Sequence, residues 1–224
     1  GDWKEPVRLK ALARWWTARR PAANGEPPAF FARLKAPMPA VSSSEVRARL
    51  FVGDDVSEML PSTVLARIER RKLYGLNRLA RLNAMLTPIR FEHSRCVARL
   101  AGALARRWGL DEEKALLAGL LHDCGRSMPV ARMGAYARSK QLRIAQLDET
   151  ARRQPLALHA HISEDLCRRR FAVHDPEVLS AVRKHTLGYP HMSALDKLLY
   201  VADSCSEDRD YPEAPELRRL AYNN

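Results

Sequence analysis

DEEKALLAGLLHDCGRSMP, residues 111–129, is the stretch on which the architecture of this chain turns. Asp111 is a helix-capping residue, Glu112 and Glu113 suit the positive end of a helix, and Ala115 to Leu121 is apolar on nearly every side. Such a helix belongs in the middle of a core, and Gly125 is expected to end it. His122 and Asp123 are then carried into the interior on its last turn, where an unpaired charge is too costly to keep. A divalent cation neutralises them well, because a helix C-terminus carries partial negative charge and both side chains are metal ligands. Taken alone, the pair is also what a hydrogen-bonded core histidine looks like, so the rest of the chain decides.

The composition bounds the answer. With 224 residues, 46% of them hydrophobic, there is room for one large or two small ordinary domains. No apolar run approaches the ~18 residues that a membrane span needs, and the opening GDWKEPVRLK does not read as a signal peptide, so the expected location is cytoplasmic. Cys96, Cys124, Cys167 and Cys205 are widely spaced with no C-x-x-C pair, which argues against a zinc ribbon or a disulfide framework. The net charge of +12 gathers in stretches such as Arg67 to Arg81 and Arg168 to Arg170. It fits a solvated helix face, or attraction of a polyanion. Aromatic residues do not interleave with the basic ones, so nucleic acid is not the expected partner.

Along the chain, residues 1–37 carry a helical patch around Trp15 and Trp16 and a Pro-rich break, and no chemistry is assigned to them. Ser43 or Ser44 caps a helix through Val46 and Leu50, and Pro61 opens a second one through Val64 and Ile68. From Gly75 onward every strong periodicity is helical, which predicts an all-α domain over 76–224. Helices are expected over Arg90 to Trp108, from Ala131 to about Leu147, along His159, Ile162 and Leu166, and from Asp175-Pro176. The last clear one follows a Ser193/Asp196 capping box.

Five of these helices bring a ligand-type side chain on the stripe that faces the core: His93, His122 with Asp123, His159, His185 and Asp203. Four imidazoles and two carboxylates aimed into one core need a common partner, which predicts metal. Six ligands exceed one tetrahedral site and point to two divalent ions, with Asp123 as the bridge. Mixed imidazole and carboxylate ligands suit iron, manganese or zinc. The chemistry expected of such a pair is attack on phosphorus by a bridging hydroxide. Arg126 is the best placed cation to hold phosphate oxygens, with Arg209 and Lys184 as seconds and Thr186 as a further substrate contact. His161, His174 and His191 are read as non-ligands.

The residues that carry this pattern are RFEHSRCVA at 90–98, LAGLLHDCGRSMP at 117–129, LALHAHI at 156–162, VRKHTLGYPHMSALDKLLYVADSCSEDRDYP at 182–212 and ELRRLA at 216–221. They resemble the HD-domain phosphohydrolases, and more closely the YqeK-type symmetrical bis(5'-nucleosyl)-tetraphosphatases. The resemblance implies a di-iron site, an HD helical bundle, and hydrolysis of diadenosine tetraphosphate to two molecules of ADP. It further implies that His93, His122, Asp123 and Asp203 hold one metal and Asp123, His159 and His185 the other. Arg126 stands where that family usually has Lys, which keeps the charge and changes its geometry.

Residues 38–75 resemble the carboxyl-terminal end of nicotinate-nucleotide adenylyltransferases, through Val41, Ser42, Ser43, Ser44, Val46 and Arg47, then Met59, Leu60 and Pro61, then Leu73 and Tyr74. The nucleotide-binding segment that opens that family is not in these residues, so a fused or separate adenylyltransferase domain is the expected connection. Two other functions remain open at this point: an HD phosphohydrolase acting on another nucleotide, and a non-catalytic module that binds nucleotides or RNA.

Overall fold

Asp111 caps the central helix as expected, its side chain accepting from the Lys114 amide at 3.0 Å. The structure, a computed structural model, describes residues 5–18, 26–35 and 40–223. The chain divides into two compact units, Gly1–Val46 and Arg47–Asn224.

The first unit holds α1 (Pro6–Leu12) and two short strands, β1 (Trp15–Ala18) and β2 (Phe31–Leu34), paired in parallel with Trp15 opposite Phe31. The helix expected around Trp15 and Trp16 is therefore a strand. Consecutive Trp, Trp and Thr favour extended backbone, and a Pro at the start of α1 sets that helix earlier.

α2 (Ser43–Val52) leads into the second unit, followed by α3 (Ser62–Arg71), α4 (Leu76–Asn83), α5 (Pro88–Trp108), α6 (Glu112–Leu121), α7 (Val130–Ser139) and α8 (Leu147–Arg153). Then come α9 (His159–Phe171), α10 (Pro176–Lys184), α11 (Ala194–Cys205) and α12 (Ala214–Ala221). Both described strands lie before residue 47, so this unit is all-α. Asp175 caps α10 through the Glu177 and Val178 amides, and Ser193 with Asp196 forms the expected capping box of α11.

α6 is the axle. Ala115, Leu116, Ala118, Gly119, Leu120 and Leu121 are all buried, and the helix packs on α5, α10 and α11. At Gly119 a Cβ would lie 2.6 Å from the Ala98 Cα, so only glycine lets α5 come this close. Within the second unit, the loop after α2 is fastened to α5 by Asp54, which receives both Arg95 at 2.9 Å and Arg99 at 2.7 Å.

Two expectations are corrected. The helix expected from Ala131 to Leu147 is two: α7 ends where Leu142 N–H bonds the Ala137 carbonyl, and α8 begins after Gln146, whose φ is 51°. Leu142 and Ile144 turn inward onto the core between them, which a continuous helix would prevent. Gly125 does not end α6 with a left-handed residue. α6 stops at Leu121, His122 continues in helical conformation, and Gly125 lies inside a 3-10 turn, Cys124–Ser127.

Candidate metal centre

The local fold delivers the ligand-type side chains as the periodicity predicts. His93 stands on α5, His122 and Asp123 follow α6, His159 opens α9, His185 caps α10 and Asp203 lies on α11. Their donor atoms fall into three groups, each within 4.8 Å: His93, His122 and Asp123; His122, His185 and Asp203; and Asp123, His159 and His185.

The tautomers follow from the backbone. His122 Nδ1 lies 2.7 Å from the Gly119 carbonyl, His159 Nδ1 2.6 Å from Leu156 and His185 Nδ1 2.7 Å from Val182. A carbonyl only accepts, so each Nδ1 carries the proton and each Nε2 presents a lone pair. Those lone pairs converge: the Nε2 atoms of His159 and His185 are 3.0 Å apart, and His122 Nε2 is fully buried without a hydrogen-bond partner. Acceptors aimed at one another repel unless a cation stands between them, so the donor set fits a divalent metal.

Asp123 is the shared carboxylate. Oδ1 lies 3.2 Å from His159 Nε2 and 3.7 Å from His185 Nε2, while Oδ2 lies 4.0 Å from His122 Nε2. Burial would raise its carboxyl, but the imidazoles around it, His122 first and then His159 and His185, hold it ionised, far below the usual carboxylate range. Burial pushes the His122 imidazole down to about 4. Asp203 is also held low against its burial, by the His93 hydrogen bond and the charges around it. For His93 burial is outweighed, and Asp203 and Asp208 raise it.

A cavity of ≈420 Å³ opens on this cluster, lined by Asp123, Asp203, Arg90, Arg126 and Arg209 among others. Arg126 Nε donates to Asp123 Oδ1 at 3.0 Å, and Arg209 Nε donates to the Asp203 carbonyl at 2.8 Å. Thr186 Oγ1 lies 3.1 Å from Nε2 of both His159 and His185. Lys184 is not brought to the cavity: its ammonium is held at 2.6 Å by Asp196, a fully buried carboxylate on α11. Of the other three histidines, His161 hydrogen-bonds Tyr189 at 3.1 Å, and His174 and His191 are exposed.

Sequence reasoning missed two residues. Asp208 Oδ2 takes the His93 Nδ1 proton at 2.7 Å, with its other oxygen fixed by Ser206 Oγ at 2.7 Å. Arg90 Nη1 donates to Asp123 Oδ2 at 3.1 Å. Arg90 was findable, since it stands three residues before His93 on one helix face. Asp208 lies in a turn past the helix, where no periodicity marks it.

The family pattern described as HD domain matches residues 90–208, more than half of the chain. The chain belongs to the HD-domain family. It is 34% identical over 143 residues to the symmetrical bis(5'-nucleosyl)-tetraphosphatase of Bacillus subtilis (strain 168), covering 64% of this chain and 75% of that relative. A probable nicotinate-nucleotide adenylyltransferase/Ap4A hydrolase of Mycoplasma genitalium is 27% identical over 186 residues, 80% of this chain and 51% of that protein. The crystal structure of a Clostridium acetobutylicum protein, a predicted HD superfamily hydrolase involved in NAD metabolism, superposes with a TM-score of 0.61. It has 32% sequence identity and covers 65% of this chain and 76% of that one. This HD-domain protein is a hydrolase, and its His/Asp cluster is a divalent metal site. Among the described residues no helix is long and apolar enough to cross a membrane.

Proposed function

We propose that this HD-domain protein hydrolyses diadenosine tetraphosphate and related dinucleoside polyphosphates symmetrically, giving two ADP, at a centre of two divalent ions, iron by preference. The observation that carries the reading is the convergence of three Nε2 lone pairs on Asp123, whose two oxygens face different imidazoles. That division supports Asp123 as the ligand shared between two ions, with His93, His122 and Asp203 around one and His159 and His185 around the other.

When bound, such ions supply an activated water at neutral pH and hold phosphate oxygens. The chain's own residues do the rest. Three guanidiniums, of Arg90, Arg126 and Arg209, ring the cavity, where charge develops on the phosphoanhydride. Arg126 is anchored by Nε to the Asp123 carboxylate, and Arg209 by Nε to the Asp203 carbonyl and by Nη2 to the Asp203 carboxylate. Their substrate contacts are therefore assigned to the remaining guanidinium nitrogens. The Thr186 hydroxyl steadies the His159 and His185 pair from beside it. Lys184, occupied by Asp196, has no part in this assignment.

The relatives named symmetrical bis(5'-nucleosyl)-tetraphosphatase support the substrate. The match to the Mycoplasma genitalium protein covers 80% of the 224 residues, more than residues 76–224 can supply. It supports reading 38–75 as an adenylyltransferase-like tail ahead of an HD domain at 76–224, and a fused or separate adenylyltransferase domain as its partner. A cytoplasmic location suits a dinucleoside polyphosphate substrate.

Product analysis tests the reading: protein reconstituted with ferrous iron is incubated with diadenosine tetraphosphate and the nucleotides are resolved by anion exchange. ADP alone is the expected product. ATP with AMP would reject symmetrical cleavage, and no turnover by a metal-loaded protein would reject the substrate.

A further inference from the structure

A second cavity, of ≈970 Å³, begins at the residues that follow Arg126 in the chain. Ser127 and Met128 line it directly after Arg126 lines the metal-site cavity, and Met85 lines it two residues before Thr87 lines the other. The two spaces are therefore neighbours across the same two stretches of chain. The second is chemically distinct. Met85, Met128, Leu166 and the Tyr136 ring give it an apolar surface, and Arg132, Lys140, Arg169 and Arg170 give it four cations. No Asp or Glu lines it. Only Arg169 is neutralised at close range, by Asp165 at 2.7 Å, and the same Asp165 takes the Tyr136 hydroxyl at 2.7 Å. Among the described residues the Arg132 and Arg170 guanidiniums have no carboxylate partner.

Sulfur and aromatic surface beside uncompensated guanidiniums suits a flat ring that carries phosphate, and the volume lies in the range of small-molecule sites. We propose that this cavity binds the second nucleoside phosphate of the substrate, with the polyphosphate crossing Arg126 from one cavity to the other. The proposal rests on the dinucleotide reading above, because only a substrate with a nucleoside at each end needs a second site beyond the cleavage point. Arg132 and Arg170 hold the far phosphate, and Met85, Met128 and Tyr136 receive the base.

Isothermal titration of the metal-loaded protein with ADP, the expected product, reads this site without turnover. Wild type is expected to bind two ADP per chain. The Arg132→Gln/Arg170→Gln double variant is expected to weaken one of them about tenfold or more, as loss of charge-assisted contacts predicts. The exposed α3 variant Arg67→Gln controls for charge alone and should keep both. Arg132→Glu should act in the same direction as the double variant, and for diadenosine tetraphosphate KM should rise by a larger factor than kcat falls. A single ADP site in wild type, or two sites unaltered in the double variant, overturns the proposal. Two sites of which the double variant loses one, with no cleavage of diadenosine tetraphosphate by wild type, would retain the nucleotide site and reject the dinucleotide reading instead.

Discussion

The two ends of the metal cluster are built on different principles. At the end formed by His122, His159 and His185, the imidazoles are buried, and every Nδ1 proton goes to a backbone carbonyl three residues earlier. At the other end His93 is held by a side-chain carboxylate, Asp208, and Asp203 is partly open to the cavity with Arg209 against it. Backbone carbonyls cannot be mutated away and side chains can. The closed end is therefore fixed by the fold, whereas the open end is set by chemistry that a single substitution can change.

Asp123 belongs to both ends, and its loss should have the largest effect. Asp123→Ala is expected to remove bound metal and lower turnover by roughly a thousandfold or more, read by metal analysis and diadenosine tetraphosphate hydrolysis together. Asp203→Ala should empty only the ion site assigned to His93, His122 and Asp203 and leave measurable metal; equal loss of metal from both variants would dissolve the division into two sites.

In chelator-treated protein, pH separates the two ends. His122, pushed down to about 4 by burial, stays neutral in the folded chain while the unfolded chain takes up its proton near 6.5. Its contribution is present above 6.5 and is lost as pH falls from 6.5 to 4, on the order of 3 kcal/mol in urea unfolding. His93, raised by Asp203 and Asp208 against its burial, behaves oppositely: its contribution is present below 6.5 and disappears as pH rises through the raised value. A His122→Asn variant that kept the full acid loss would refute the assignment.

Asp208→Asn tests the open end at smaller scale. It keeps the shape but not the charge that orients His93, and chelator competition should show metal held about 10- to 100-fold more weakly. Gly119→Ala acts on the scaffold and not on either end: it wedges α5 from α6 and should cost about 1–3 kcal/mol in denaturant unfolding.

The closed end was the more legible one. His159 and His185 stand at helix positions where apolar periodicity already says which face is inward, and the capping residues Asp111, Asp175 and Ser193 marked the helix starts. The open end depends on Asp208 and Ser206 in a turn, where side-chain hydrogen bonds rather than period decide the geometry. Lys184 was misplaced for a similar reason, because nothing in its spacing announced the buried Asp196 that holds it. The parallel strands at Trp15 and Phe31 are four residues each, too short for alternation to outweigh a helical reading.

Gly125 carries a consequence for anyone moving this centre to another scaffold. A Cβ there would lie 2.5 Å from the His159 carbonyl and 2.9 Å from the Ser163 amide, and its own amide donates to Ser163 Oγ at 2.8 Å. The transplantable unit is therefore not a pair of ligands but two interlocked backbones, His122 to Gly125 and His159 to Ser163. A graft that copied the six His and Asp side chains of the cluster and left a larger residue at that seam would hold His159 out of register with its partners.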